Sequence, residues 1–529
     1  MGEFLENLKR FRSRIGPADR STAITAASIV IVLALVAVAF QSTPDETTVA
    51  SETTSDASGT TTSAPGGTGT TTVDGTTTAT GGRGAGTVSA PSAGTGGEIQ
   101  DVPADVAITD TIIKVGLAYL EDPGTANAAA GFSGIGQLDQ KRGWDALIKE
   151  VNKNPPYGRK VVPVYYSYTT DDVTSKGAER LEQEMCAKWT QDNKVFMVWA
   201  SGEDTLKSCL TKAKVVQLGS GGGFSWSKTF KDFPYLVEPA SSALDRMAEF
   251  EVDQLYNKHF FSEFKENAPP YTPAKPADGK PRIGLIRYDQ PSYKAAAVTM
   301  KNRLAAHGLS ICSGCEFEVS YSPDNVQEQL DDATEVNAAI QNCKSRPDGP
   351  CTHLLFLGST AGVRITLFYV DGAEKQAYRP RLGFNPLDAP TAVRDFLGAS
   401  SYPQFRDSML VTDNPGDFDV RTDAFKRCKK TFEDAGETFS GDEAANKEDQ
   451  IPFYCNPAWY FKAAMEQAGE RLTVDTWLSA VEHVAPVPSA SVYLMQTKPG
   501  RHDGSGAIRI GEWFDDCACY KPTTGVIPV

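Results

Sequence analysis

The chain has 529 residues, of which 40% are hydrophobic and 22% are charged, and its formal net charge at pH 7 is -15. This acidic balance argues against a nucleic-acid-binding protein, because binding to phosphates requires a cationic surface. Only one stretch is long and apolar enough to cross a bilayer, which argues against a multispanning channel. The composition is uneven, since only the part after about residue 110 has the mixture of residues typical of a globular domain.

The N-terminus combines a basic segment with an apolar one. Residues 1–21 carry five Lys or Arg residues against three Asp or Glu residues, and residues 22–40 contain no charged residue. This pattern predicts a cytoplasmic tail and a single-pass transmembrane signal anchor in the cell membrane, with the rest of the chain exported. The alternative is a cleaved signal peptide and a secreted protein, because Ala37 and Ala39 form a small-residue cleavage pattern before Phe40.

Residues 41–109 are predicted to form a disordered stalk. Up to Gly97 this segment consists mostly of Thr, Gly, Ser and Ala and contains no aromatic residue. Such a composition cannot bury enough apolar surface to offset the loss of chain entropy on folding. We therefore expect a flexible spacer between the membrane segment and a folded head at 110–529.

All ten cysteines lie in this head. An even number of cysteines in an exported chain predicts disulfide bonds. Proximity along the chain favours three pairs, namely Cys186–Cys209, Cys343–Cys351 and Cys428–Cys455.

The other four cysteines have short spacings that occur in functional motifs. Cys312-Ser-Gly-Cys315 has the spacing of a redox or zinc motif, and Cys517-Ala-Cys519 has the spacing of a metal clip. Export to an oxidising compartment favours structural disulfides for these cysteines as well. The sequence therefore predicts no metal site.

From Asp110 onward, apolar strand-like runs alternate with amphipathic helical windows, the pattern of doubly wound parallel sheets. The first part has predicted strands at 112–120, 161–168, 195–200 and 215–218, and predicted helices at 137–151, 176–191, 204–212 and 244–256. After a polar insertion at 260–280, strands are predicted at 282–287, 316–321 and 353–357, and helices at 293–307, 326–343 and 364–373. The C-terminal part adds a strand at 408–412, helices at 424–434, 457–468 and 476–483, and an extended segment at 507–513. Two α/β lobes are expected, at about 110–240 and about 281–410, each completed by part of the C-terminal region.

Polar and Gly-rich loops follow the predicted strands, where ligands of open parallel sheets bind. Glycine lets a ligand approach the backbone, and Ser and Thr hydroxyls donate hydrogen bonds to polar oxygens. These loops are Ala200-Ser201-Gly202, Gly219-Ser220-Gly221-Gly222-Gly223, Tyr288-Asp289, Gly358-Ser359-Thr360 and Gly383-Phe384-Asn385. One such loop alone is typical of an ordinary strand-to-helix turn. Five loops at the same end of two lobes favour a ligand cleft between the lobes.

Several short motifs occur in a recognisable order along the head. They are Ile113-Lys-Val-Gly-Leu117, the pair Gly134 and Gly136, the pair Cys186 and Cys209, Phe233-Pro-Tyr235-Leu-Val-Glu-Pro239, and Ile283-Gly-Leu-Ile286 followed by Tyr293. In this order the head resembles the type I periplasmic solute-binding proteins, in particular the branched-chain amino-acid (Leu/Ile/Val) binding family of ABC transporters. The resemblance implies two lobes joined by three crossings, which close around a small molecule.

The resemblance also implies which residues bind the ligand. By position they are Ser201, Gly202, Ser220 and Gly221 in the first lobe, and Tyr293, Ser359, Thr360 and Asn385 in the second. Family members that bind amino acids usually have an acidic residue in the last of these loops, where it pairs with the ligand ammonium group. An amide at Asn385 cannot form that charge-assisted pair, which argues against an ordinary branched-chain amino acid as the ligand.

These observations predict a membrane-tethered receptor that captures a small polar metabolite, an amino acid or a related compound, for an ABC-type permease. The alternative is a sensor or envelope scaffold with the same fold and an altered pocket, which the long stalk and the cytoplasmic tail support. The five histidines have no metal-ligand spacing, and Gly219-Ser-Gly-Gly-Gly223 lacks both the central Ser of a nucleophile elbow and the Lys of a P-loop. We therefore predict neither catalytic residues nor a cofactor.

Overall fold

The structure is a computed structural model that describes residues 106–123, 138–219, 225–266, 271–320, 326–358, 363–440 and 444–529. The predicted basic tail, the predicted membrane segment and the stalk up to residue 105 lie outside these residues. Within the described ranges, no helix combines the length and the apolar character that crossing a bilayer requires.

The described residues form a two-lobed α/β unit. In chain order the strands are β1 (Ile112–Leu120), β2 (Lys160–Tyr168), β3 (Met197–Val198), β4 (Val216–Leu218), β5 (Leu236–Val237), β6 (Ile283–Tyr288), β7 (Ile311–Val319), β8 (His353–Leu357), β9 (Arg381–Phe384), β10 (Met409–Thr412), β11 (Ala507–Phe514), β12 (Cys519–Pro522) and β13 (Ile527–Pro528). The α-helices are α1 (Gln140–Val151), α2 (Thr170–Lys176), α3 (Ala178–Ala187), α4 (Asp204–Ala213), α5 (Ser227–Asp232), α6 (Leu244–Asn257), α7 (Pro291–Ala306), α8 (Val326–Lys344), α9 (Val363–Lys375), α10 (Pro390–Leu397), α11 (Tyr402–Phe405), α12 (Asp423–Asp434), α13 (Ala444–Gln450), α14 (Pro452–Ala468) and α15 (Val474–Val481).

Lobe 1 contains a five-stranded parallel sheet in the order β2-β1-β3-β4-β5. β1 carries β-branched and other apolar residues, and Ile113, Val115 and Leu117 are completely buried, as expected for an inner strand of a parallel sheet. The predicted helix at 176–191 is interrupted, because Gly177 has a φ of 75° and separates α2 from α3.

The C-terminal helices α12 to α15 complete the core of lobe 1. α1 begins after Asp139, whose carboxylate accepts a hydrogen bond from Arg142 N at 2.9 Å. On the buried side of α1, the ring of Trp144 lies 4.7 Å from that of Tyr454 in α14. The chain therefore leaves lobe 1 after β5 and returns to it after β10.

Lobe 2 contains an eight-stranded mixed sheet in the order β12-β11-β10-β9-β8-β6-β7, with β13 paired to β11. β6 to β10 are parallel, and β11 runs antiparallel to β10, β12 and β13. Its core stacks Phe356 of β8 on Phe384 of β9 at 5.4 Å between ring centroids. α6 packs against α7, so this helix belongs to lobe 2.

The polar insertion after α6 lies on lobe 2. Phe260 and Phe261 are buried there, and Arg381 donates a hydrogen bond to the Phe260 carbonyl at 2.8 Å. The ammonium group of Lys265 is also buried and donates to the Gln404 carbonyl at 2.9 Å, and burial lowers the pKa of Lys265 to about 7. The insertion therefore extends lobe 2 and does not lengthen the first crossing.

Three chain crossings join the lobes, as the resemblance implied. The first runs from β5 to α6, the second from β10 to α12, and the third from α15 to β11. The first and third crossings pair with each other: Glu238 N donates to the His502 carbonyl at 2.9 Å, and Gly504 N donates to the Glu238 carbonyl at 2.8 Å. The second crossing is hydrogen-bonded to the third, because Tyr493 N donates to the Asp413 carbonyl at 2.9 Å.

A buried ion pair fixes this hinge. Asp503, which is 3% exposed, accepts hydrogen bonds from Arg246 Nε at 2.7 Å and from Ala243 N at 2.9 Å. Arg246 lies in the first turn of α6, so the pair ties the third crossing to the helix that begins lobe 2. A Cβ atom on Gly504 would overlap the carbonyl oxygen of Pro239, so the two crossings approach as closely as backbones can.

Two of the predicted disulfides are confirmed. Cys186–Cys209 links α3 to α4 with a Cα–Cα distance of 6.3 Å, and Cys428–Cys455 links α12 to α14 with a distance of 6.0 Å. Cys517 and Cys519 are bonded to each other at the start of β12. The sulfur atoms of the predicted pair Cys343–Cys351 lie 2.6 Å apart, which is in close contact but longer than a disulfide bond, so this pair stays a prediction.

We predict that Gly504→Ala lowers the free energy of unfolding by about 3 kcal/mol, because the added methyl group forces the hinge crossings apart. Denaturant titration of the full chain measures this change. Gly525→Ala is the matched control, since its Cβ would meet no atom within 4 Å. Equal unfolding midpoints for the two variants would contradict the close approach at the hinge.

Candidate functional site: an interlobe cleft

The carboxyl ends of the parallel strands of both sheets adjoin the hinge. The first crossing leaves β5 after Val237, and the second leaves β10 after Thr412, in both cases from the carboxyl end of the strand. Because neighbouring strands run parallel, the loops that follow β3, β4, β6, β8 and β9 lie at the same two edges. These edges are the places where open α/β sheets bind ligands.

A buried carboxylate holds the first of these loops in lobe 1. Glu182 of α3 accepts hydrogen bonds from Glu203 N at 2.5 Å and from Leu206 N at 2.9 Å, which also satisfies free amides at the start of α4. A Cβ on Gly202 would lie 2.6 Å from Leu206 Cδ2, so a side chain there would push the loop outward. Ser201 is left exposed at the tip of this loop.

The neighbouring part of the lobe 1 edge is acidic. Glu238 is buried at the end of β5, and burial raises its pKa above the ordinary value for Glu. Burial likewise raises the pKa of Glu182. Lys207 of α4 is 7% exposed and its positive charge favours the ionised forms of both carboxyls, while Glu203 and Asp204 are exposed beside it. The exposed Glu203 and Asp204 outnumber the single cation Lys207, so this edge suits a positively charged group on a ligand.

A second buried carboxylate holds the corresponding loop in lobe 2. Asp388 follows β9 and is completely buried. Its two oxygens accept hydrogen bonds from Gly358 N at 3.2 Å and from Asn385 N at 2.9 Å. Gly358 is the first residue of the predicted ligand loop after β8, so Asp388 fixes the point at which that loop begins.

The side-chain amide of Asn385 forms its hydrogen bonds within lobe 2. Its Nδ2 donates to Glu251 Oε2 at 3.2 Å and to the Phe356 carbonyl at 3.0 Å, and its Oδ1 accepts from Leu387 N at 2.9 Å. Burial raises the pKa of Glu251 well above its ordinary value, and the nearby Asp388 raises it further. Burial also raises the pKa of Asp388 to about 7.

A cation lies at the lobe 2 edge. Arg364 is in the first turn of α9, directly after the predicted ligand loop, and its side chain is 14% exposed. It is hydrogen-bonded to the phenol of Tyr288 at the end of β6, and its Nη1 lies 3.7 Å from Oδ2 of the buried Asp332. Tyr288 packs edge-to-face against Tyr293 at 5.6 Å. This edge therefore contains a largely buried guanidinium group next to a buried carboxylate and the Tyr288 phenol.

The structure places the predicted ligand residues in three groups. Ser201 and Gly202 lie at the lobe 1 edge, on the loop that Glu182 holds. Ser220, Gly221, Ser359 and Thr360 lie outside the described residues. Tyr293 and Asn385 have no exposed surface, so they support the lobe 2 edge, and direct contact between them and a ligand stays a prediction.

Two charged residues at these edges, Arg364 and Glu182, were not predicted from the sequence. Arg364 follows the Gly358-Ser359-Thr360 loop by only a few positions, so a search for cations next to that loop would have found it. Glu182 gave no such signal, because it belongs to an ordinary amphipathic helix that is distant in sequence from the loop it holds.

An open groove of about 590 Å³ lies along α4, the helix that begins two residues after Gly202. Its lining residues are Asp204, Thr205, Ser208, Cys209, Lys212 and Phe233. The groove follows one helix and includes none of the lobe 2 residues, so it does not have the two-sided form of an interlobe site.

No protein-family model matches this chain, and no curated protein matches it in sequence. Solved structures match it in fold. A solute-binding protein of an ABC transporter from R. palustris, in complex with 4-hydroxybenzoate, superposes with a TM-score of 0.52 and 14% identity, covering 79% of this chain and 97% of the other. A solute-binding protein from Rhodopseudomonas palustris HaA2, in complex with p-hydroxybenzoic acid, superposes with a TM-score of 0.51 and 12% identity, covering 79% of this chain and 97% of the other. A possible leucine/isoleucine/valine-binding protein from Rhodopirellula baltica SH 1 superposes with a TM-score of 0.50 and 11% identity, covering 80% of this chain and 98% of the other.

These matches establish the fold. The head has the type I periplasmic-binding fold of ABC transporter substrate-binding proteins, as its sequence motifs predicted. The matches extend over nearly the whole length of the solved proteins, so the head contains both lobes of that fold and not a fragment of it.

We predict that the buried pair Glu251 and Asp388 makes the head less stable as the pH rises from about 4 to about 7. Unfolded carboxyls ionise near pH 4, whereas these folded carboxyls keep their protons to higher pH, so the folded state binds more protons in this window. Glu251→Gln should make stability fall less steeply with pH, because it removes one of the two titrating groups.

Thermal unfolding of the full chain at several pH values measures this effect. Glu249→Gln is the control, because this residue lies on the same helix but is exposed and pairs with Arg303 at 3.5 Å. The prediction fails if Glu251→Gln and Glu249→Gln show the same dependence of melting temperature on pH as the wild type.

Proposed function

We propose that this protein is an extracytoplasmic solute receptor, which captures a small polar metabolite between its lobes and delivers it to an ABC-type permease. The observation that carries the proposal is that three hydrogen-bonded crossings join the two sheets at the carboxyl ends of their parallel strands. Hinge closure of such lobes can surround a small molecule and remove it from water. The fold neighbours are substrate-binding proteins, which supports a non-catalytic role.

The ligand that suits this site carries a carboxylate. Arg364 offers a guanidinium group at the lobe 2 edge, and guanidinium groups bind carboxylates through paired hydrogen bonds. The exposed Glu203 and Asp204 at the lobe 1 edge favour an amine or hydroxyl group at the other end of the molecule. An amino acid or a related acid has both features. Two of the fold neighbours bind hydroxybenzoates, which are also small carboxylates with a polar group at the far end.

The receptor is proposed to work outside the cytoplasm, held at the cell membrane by residues 22–40. The charge pattern of the N-terminus and the absence of charge from this segment support an anchor. The three disulfides in the head support export, because such bonds persist in oxidising compartments. The stalk would then let the head reach solute and permease while it stays tethered.

Thermal-shift and calorimetric titration of the full chain with hydroxybenzoates and amino acids tests the proposed function. A ligand present at about 100 times its Kd should stabilise the head by about 2.7 kcal/mol. Arg364→Gln should weaken binding of carboxylates by about 1.5–3 kcal/mol, because a hydrogen bond to a charged group is lost.

Lys375→Gln is the matched control, since this residue lies on the same helix and its side chain is 71% exposed. Melting of each variant without ligand separates a loss of binding from a loss of folding. Carboxylates that bind the Arg364→Gln and Lys375→Gln variants equally well would contradict the assigned role. A head that binds no carboxylate or amine in the panel would favour the sensor or scaffold instead.

A further inference from the structure

Four cysteine sulfurs meet at the amino-terminal edge of the lobe 2 sheet, on the side opposite the candidate cleft. Cys312 and Cys315 lie near the start of β7, Cys343 lies at the end of α8, and Cys351 precedes β8. Cys315, Cys343 and Cys351 are buried, and Cys312 is half-exposed. The ligand-binding proposal uses none of them.

A bulge in β7 brings the first two cysteines together. Ile283 of β6 pairs with Ile311, but Leu285 pairs with Glu316, so β7 carries three more residues than β6 between these pairs. Gly314 adopts a φ of 71°, which folds Cys312-Ser-Gly-Cys315 back on itself. Without this bulge, the alternation of a strand would place the two side chains on opposite faces of the sheet.

The other two cysteines approach through a short loop. Cys351 N donates to the Cys343 carbonyl at 3.0 Å, and the two sulfurs lie 2.6 Å apart. A Cβ on Gly284 would lie 3.0 Å from Cys343 Sγ, so the absence of a side chain at this position leaves room for the sulfurs. A separation of 2.6 Å is too close for two thiols that merely pack and is also shorter than the spacing of about 3.7 Å between two thiolate ligands of one tetrahedral zinc ion. The contact favours a disulfide.

Cys351 links the two pairs. Its sulfur lies 3.7 Å from that of Cys315, and the sulfurs of Cys312, Cys315 and Cys351 all lie within 4.8 Å of one another. We propose that these four cysteines form a thiol–disulfide exchange site, in which a disulfide passes between the buried Cys343–Cys351 pair and the half-exposed Cys312–Cys315 pair.

The exchange transfers electrons only among these four cysteines, so it needs no external oxidant or reductant. The Cys312 thiolate attacks Cys351 Sγ, forming a Cys312–Cys351 bond while the Cys343–Cys351 bond breaks and Cys343 leaves as a thiolate that takes up a proton. The Cys315 thiolate then attacks Cys312 Sγ, forming the Cys312–Cys315 disulfide and releasing Cys351, which is protonated in turn. One pair is oxidised by two electrons and the other is reduced by two.

The surroundings assign the order of these steps. A hydrogen bond from the Cys315 thiol, together with the positive charge of Arg346, lowers the pKa of Cys312 and favours its thiolate. Arg346 is fixed in place by its hydrogen bonds to the Ser313 carbonyl and to Asp348, both at 2.8 Å. Being half-exposed, Cys312 is also the sulfur that a small external thiol or disulfide can reach.

Removal of the resolving cysteine tests the site. In Cys315→Ser the exchange stops after the first step, so peptide mapping of acid-quenched, alkylated full chain should find at least about tenfold more Cys312–Cys351 linkage than in the wild type. Cys209→Ser is the control, because it also frees one thiol but lies in lobe 1, and it should leave the linkage at the wild-type level.

Limited reduction of the wild-type chain provides a second measurement that does not depend on how a variant folds. In a chain whose two pairs are both oxidised at the start, one equivalent of dithiothreitol should reduce the half-exposed Cys312–Cys315 pair first, so alkylation should appear first at Cys312 and Cys315 and then reach Cys343 and Cys351 by exchange. Labelling that stays confined to Cys312 and Cys315 would overturn the proposal. So would one zinc ion bound per chain with all four thiols reduced, or Cys312 remaining a free thiol beside an intact Cys343–Cys351 bond in Cys315→Ser.

Discussion

The close passage of the third crossing over the first is the constraint on which the two-lobed arrangement depends. Gly504 lies against the Pro239 carbonyl with no room for a side chain, and Asp503 next to it binds Arg246 and the amide of Ala243. These contacts orient α6 as it enters lobe 2 and fix β5 relative to β11. Because the parallel strands of both sheets end at this hinge, the same contacts place the carboxyl ends of these strands beside it.

Buried carboxylates fix the positions of the loops beside the hinge. Glu182 in lobe 1 and Asp388 in lobe 2 each use both oxygens to bind backbone amides, one pair at the start of a helix and the other where two loops begin. Burying such groups costs free energy, which raises their pKa values, and the amide hydrogen bonds offset part of that cost. The backbone amides held in this way are in place before a ligand arrives, which reduces the entropy lost on binding.

The periodicity of the chain was sufficient to predict most of the elements. β1 and β8 have their predicted limits, because each is a continuous apolar run of a buried parallel strand. β7 begins five residues before its predicted start, since the bulge at Cys312-Ser-Gly-Cys315 breaks the alternation that marks a strand. The loop residues Ser201 and Gly202 were predicted from their place after a strand, whereas Arg364 and Glu182 were not, because their roles come from neighbours distant in sequence.

The sequence by itself determined the succession of strands and helices, the acidic character of the head, and the resemblance to solute-binding proteins, since these follow from local pattern and composition. The tertiary structure decided which cysteines meet, which carboxylates hold the loops, and where the charges of each edge lie. Residues as far apart as Ala243 and Asp503 share one hydrogen bond, and pattern along the chain carries no information about such pairings. They are set by the packing of helices and sheets, which brings distant segments together only once both lobes have formed.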